Sequence, residues 1–137
     1  MKTIKMSKNE AAELYNGLVE SKDLKSKAFA LKAAKNMNTI KDALQDIEDL
    51  GRPSEEFMQL SVKVQKIMAD DPENGKDQIE ELENENHELV VQRKEQMAIV
   101  HEKLLDEIEL DLSIFSEEML PEDITAQQIN KLIKIIE

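Results

Sequence analysis

One short segment constrains this chain more than any other. Ile108, Leu110, Leu112 and Ile114 alternate with Glu109, Asp111 and Ser113, the period-2 pattern of a strand with one buried face. A strand alone leaves its backbone N–H and C=O groups without partners, so a second strand is required. Only residues 2–6, KTIKM, offer one, with Ile4 and Met6 two apart. The sequence therefore predicts that the N-terminus pairs with residues 108–114, bringing the two ends of the chain together.

Everything between these segments has helical character. Only 3 Gly and 3 Pro leave little turn chemistry for further strands, and with aromatics at 3% the core must come from Leu, Ile, Val, Met and Ala. Ser7 and Glu10 have capping-box spacing, which predicts a first helix over 8–20 that buries Ala11, Leu14, Tyr15 and Leu18. Phe29, Ala33, Met37, Ile40, Leu44 and Ile47 make one stripe and predict a second helix over 24–50. Gly51 serves as its stop, and Pro53 suits the first turn of a third helix over 53–69. After the loop Asp70–Gly75, a fourth helix is expected over 76–107, interrupted in its pattern by the polar run Asn84–Glu88. Thr125 and Gln128 form a second capping box, and Ile124 and Ile129 have staple spacing. The final helix should present Ile129, Leu132, Ile133 and Ile136. The expected fold is mainly α (α+β): one helical domain over 1–137, a helical bundle with a small two-stranded sheet. A helical hairpin over 53–107 either folds back on the bundle or projects from it.

Composition removes several classes of function. The absence of Cys excludes disulfides, thiolate metal sites and cysteine nucleophiles. No apolar run approaches the roughly 20 residues of a membrane span, and the first residues lack the apolar core of a signal peptide, so a soluble intracellular protein is expected. The net charge is −12, but residues 1–41 carry nine Lys against four acids while the remainder carries nine basic and 26 acidic side chains. Such a chain is not expected to bind duplex nucleic acid, because its acidic part is repelled by phosphate.

No catalytic set assembles from the residue pattern, and no enzyme is expected. His87 and His101 are 14 residues apart on one expected helix, about 21 Å along its axis, too far to share a metal. Glu80, Glu81, Glu83, Glu85 and Glu88 lack the glycine turn of a calcium loop and belong to a charged helical surface. No glycine-rich phosphate loop is present. Neither a cofactor nor a metal is expected.

The stretch KSKAFALKAAKNMNTIK, residues 25–41, holds five lysines and no acid. On a helix, Lys25, Lys32 and Asn36 fall within about 40° of each other beside the apolar stripe, with Lys35 further round. Two accounts stand. The lysine stems cover the core and their heads meet water or Glu81, Glu85 and Glu88 of the acidic helix. Alternatively Lys25, Phe29, Lys32, Lys35 and Asn36 form a ligand edge that holds an anion and stacks a base. No Arg, the usual bidentate reader of phosphate, lies among them.

The segments AFALKAAKN (28–36), ELDLSI (109–114) and the pattern L-P-x-D-I-T-A-x-x-I-x-x-L (120–132) resemble a family of small uncharacterised proteins of tailed bacteriophages. The resemblance covers about residues 1–50 and 100–137. It implies a viral protein acting in the host cytoplasm and brings no catalytic residue. Together these features point to a non-enzymatic accessory binding protein that counters host defence by sequestering a nucleotide immune signal or a defence protein. The alternative is a structural adaptor, chaperone or minor component in virion assembly, acting through coiled-coil oligomerisation. Expected partners are a second copy of the chain and either a host defence protein or a small anionic nucleotide.

Overall fold

A computed structural model describes residues 1–137. The chain is mainly α-helical with one two-stranded antiparallel sheet, and it divides into two compact units, residues 1–47 with 102–137, and residues 48–101.

In the first unit, β1 (Lys2–Ser7) pairs with β2 (Glu107–Leu112), with Ile4 opposite Leu110 and Met6 opposite Ile108. These residues, with Leu112, turn to the core. The opposite face is polar: Thr3 donates to Asp111 and Lys5 pairs with Glu107 at 3.1 Å. Two strands alone are marginal in water, so the sheet depends on helices to cover its apolar face. Those helices are α1 (Lys8–Glu20), α2 (Lys27–Ala43) and α7 (Ala126–Leu132).

Each begins where a hydroxyl replaces a missing backbone partner. Ser7 and Glu10 form the expected capping box at α1, Ser26 accepts from the Phe29 N–H at α2, and Thr125 with Gln128 boxes α7. Leu14, Leu18, Phe29, Ile40, Leu112, Phe115, Leu132 and Ile135 fill the space between them. Burying one such side chain stabilises by about 1.5–3 kcal/mol. At Gly17 the α1 backbone approaches α7 closely, since a Cβ there would lie 3.0 Å from the Lys131 Cβ.

Several expected boundaries are corrected. The second helix does not run over 24–50: α2 ends at Ala43 and α3 (Gln45–Gly51) restarts after Leu44. Asp46 explains the break, because its carboxylate accepts from the Ile47 N–H at 2.8 Å and pairs with Lys8 at 2.9 Å. Pro53 precedes the cap of the next helix rather than entering its first turn; Ser54 caps α4 (Glu55–Asp70). The expected helix over 76–107 is two helices, α5 (Gly75–Glu85) and α6 (His87–Lys103). They part at Asn86, whose amide donates to the Leu82 carbonyl at 2.9 Å, within the polar run that interrupts the apolar pattern. The last strand ends at Leu112 rather than residue 114 because β1 reaches no further than Lys2.

At the C-terminus the expected face of Ile129, Leu132, Ile133 and Ile136 is partly wrong. A tighter 3₁₀ turn over Ile133–Ile135 follows α7, which leaves Ile133 56% exposed and buries Ile135.

In the second unit α4 packs on α5. Two side chains of α6 hold the end of α3: Arg93 donates to the Gly51 carbonyl at 2.7 Å, and Gln96 donates to those of Leu50 and Arg52, each at 2.7 Å. These bonds supply partners for carbonyls that a helix end leaves free. Little else in this unit is deeply buried. Leu60 and Val100 are its only buried apolar side chains, whereas Phe57, Val64, Ile67, Ile79, Leu82, Leu89, Val90 and Met97 are half-buried.

Candidate functional site

The residues expected to form a ligand edge separate into two groups. Phe29 is 1% exposed and its ring stacks on Phe115, centroids 4.8 Å apart and planes 28° apart. Asn36 is also 1% exposed. Its Nδ2 donates to the Ser113 carbonyl at 2.9 Å and its Oδ1 accepts from the Ser113 N–H at 2.8 Å. Lys32 donates from Nζ to the Ile114 carbonyl at 2.8 Å. Lys25 and Lys35 are exposed.

These contacts hold much of the backbone just beyond the sheet. Leu112 faces Lys2, the last pair of the ladder. Ser113 is paired with the Asn36 amide, which takes the place of a strand neighbour, and Ile114 gives its carbonyl to Lys32. Phe115 donates its N–H to Ile135 at 2.7 Å and accepts from Glu137 at 2.8 Å. The Lys-x-x-x-Asn spacing at 32 and 36 thus works as a strap holding the 113–114 chain to α2. This arrangement is neither of the two accounts the residue pattern offered, since the partners are backbone groups rather than acids or an outside anion. Ser113 and Phe115 carried no mark of this role except that the apolar alternation runs past the point where β1 ends.

Ion pairs occupy other charged positions of the first unit. Between α1 and the C-terminal helix lies a cavity of about 410 Å³, rimmed by Glu10, Glu20, Lys131 and Lys134. Lys131 pairs with Glu20 and Lys134 with Glu10, and Glu13 also lines the cavity, so two of its three carboxylates are matched by a lysine. The hydrogen bond from Lys134 holds the Glu10 carboxyl below the usual glutamate range, with the Ser7 N–H assisting. Lys8 does the same for Asp46, and Glu107 raises the Lys5 ammonium.

In the second unit, a groove of about 290 Å³ opens between α4 and the α5–α6 junction, lined by Phe57, Leu60, Val64 and Val90 with Glu83 and Gln65 at its rim. The Arg93 guanidinium lies 5.6 Å from the Phe57 ring centre, a cation–π contact. His87 and His101 are both exposed, and no three His, Asp or Glu side chains converge to hold a metal. No helix is long and apolar enough to cross a membrane. Comparison of the chain with protein-family models, curated proteins and solved structures yields no match.

Proposed function

We propose that the protein is a non-enzymatic binding protein that engages another protein through its helical unit, residues 48–101. The thin core of that unit carries the proposal. Two buried apolar side chains serve 54 residues, and an apolar groove at Phe57, Leu60, Val64 and Val90 stays open beside them. Amphipathic helices commonly seat their apolar face in grooves of this kind. The unit has 14 Asp and Glu against six Lys and Arg, so the partner that fits is a helix with an apolar ridge flanked by basic residues.

The resemblance to tailed-phage proteins supports a setting for this activity: an accessory role during infection, in the host cytoplasm, that holds a defence protein. Of the two ligands considered from the sequence, a protein is favoured over a nucleotide. A nucleotide at the α2 edge would have to displace the Phe29–Phe115 stack and the Asn36–Ser113 pair. The adaptor alternative, acting through a continuous coiled-coil rod, is disfavoured by the break at Asn86.

Affinity capture from a host lysate tests the proposal when wild type and Val64→Asp are run side by side, with calorimetric titration of anionic nucleotides as a separate arm. The expected result is one host protein retained by wild type and lost with Val64→Asp, and no nucleotide heat. Identical capture by both proteins, or tight nucleotide binding, would overturn it.

A further inference from the structure

With Lys32 and Asn36 engaged on residues 113–114, the unexplained side of α2 is the opposite one. At 100° per residue, Lys27, Leu31, Lys35 and Asn38 share a face turned away from Phe29, Ala33 and Ile40. All four are exposed. Leu31, at 55% exposure, lies at the centre with the small side chains of Ala28 and Ala34 exposed around it. Lys27, Lys35 and Lys41 make no ion pair or side-chain hydrogen bond, whereas Lys5, Lys8, Lys131 and Lys134 of the same unit are each paired with an acid. The first turn of α2 contains no acid, and Lys25 and Lys27 stand at the end where the helix dipole is already positive. An acidic surface laid along this face would relieve that arrangement.

We propose that the occupant is a second copy of the chain, which docks the outer face of its α5 on this face of α2. α5 places Asp77, Glu81 and Glu85 at successive i+4 positions, all exposed, with Glu80 beside them and Lys76 as the helix's single basic residue. Lys27 to Lys35 and Asp77 to Glu85 each span eight residues, about 12 Å along a helix axis. Two such helices side by side therefore bring a lysine against a carboxylate at both ends of the contact. Ala28 and Ala34 leave the surface low enough for the second helix to approach, and Leu31 covers the aliphatic stems of the glutamates. Pairing of two α2 faces would instead oppose lysine to lysine.

The two faces differ. Reciprocated across a two-fold axis the contact is isologous and closes a dimer; unreciprocated it is heterologous and builds a ring or an open chain of copies. The net charge of −12 on each copy opposes approach at long range. At about 0.15 M ionic strength the screening length is about 8 Å, so the facing helices govern the contact.

This proposal uses charged faces apart from the apolar groove of the proposed function, and its failure is separable from the failure of that one. Sedimentation velocity of the full chain at about 0.15 M salt is expected to show species heavier than the 15.7 kDa monomer. A Lys27→Glu/Lys35→Glu double variant and an Asp77→Lys/Glu81→Lys double variant should each lose association by on the order of tenfold or more, with unchanged helical circular dichroism. Mixing the two variants should restore a mixed complex, because reversed charges again face each other. The proposal is overturned by a wild-type chain that stays monomeric at every concentration. It is equally overturned by double variants that associate as wild type does, or by a mixture that remains monomeric.

Discussion

Asn36 and Ser113 exchange two hydrogen bonds, at 2.9 and 2.8 Å, so that one buried side-chain amide completes a strand whose partner has run out. An Asn36→Leu substitution would leave the Ser113 N–H and C=O without partners. A loss of about 2–3 kcal/mol is expected, since each unsatisfied buried group costs roughly 1–3 kcal/mol. Urea unfolding measures it. Lys32→Met removes one bond from an ammonium to the Ile114 carbonyl and should cost about 1.5 kcal/mol; wild-type stability in both variants would contradict the strap.

Phe29 and Phe115 join α2 to the segment after β2 through their stacked rings. Phe115→Leu preserves apolar bulk and gives up the ring contact, for an expected loss of about 1–1.5 kcal/mol. Phe115→Ala leaves a cavity and should cost about 3–5 kcal/mol. Thermal unfolding by circular dichroism would rank the two.

Gly17 permits the close approach of α1 to α7. Gly17→Val places branched carbons where a Cβ alone already meets Lys131 at 3.0 Å and Leu132 at 3.3 Å. Overpacking of this kind costs about 1–3 kcal/mol. Hydrogen exchange should show α7 opening more readily, and a variant as stable as wild type would refute the contact.

Gln96 ties α6 to the carbonyls at the end of α3. Gln96→Ala should destabilise by about 1–2 kcal/mol, with faster amide exchange concentrated in residues 48–101. Uniformly faster exchange across the whole chain would argue against a local clamp.

Glu10 and Asp46 both have lowered folded-state pKa values, chiefly from bonds to Lys134 and Lys8. A lowered carboxyl pKa gives stability that is present above the unfolded value and lost as pH falls through the folded one. Stability should therefore decline on acidification, and Glu10→Gln should shallow that decline. Both carboxylates are solvent-exposed, so added salt should shrink the difference between variant and wild type. Unfolding midpoints at several pH values and two salt concentrations provide the check.

Much of the fold is legible in the sequence because its signals are local. Ser7 with Glu10 and Thr125 with Gln128 set helix starts through contacts three residues apart, and alternation from Ile108 to Leu112 set the face of the strand. The requirement that every strand have a partner then selected residues 2–6. Breaks at Leu44 and Asn86 were missed because apolar periodicity does not register a side chain that takes a backbone group for itself, as Asp46 and Asn86 do. Ile133 was misplaced because a 3₁₀ turn rotates the faces that a 3.6-residue period assumes.

The α2 edge shows the division most clearly. By itself the sequence determined that Phe29, Ala33 and Ile40 form a core stripe and that Lys32 and Asn36 lie along its border, since helical geometry alone fixes those positions. Only the tertiary structure decided what the border faces. β1 is too short to pair Ser113, so the half-buried backbone there takes its donor and acceptor from elsewhere, and Asn36 is the side chain that packing brings within reach.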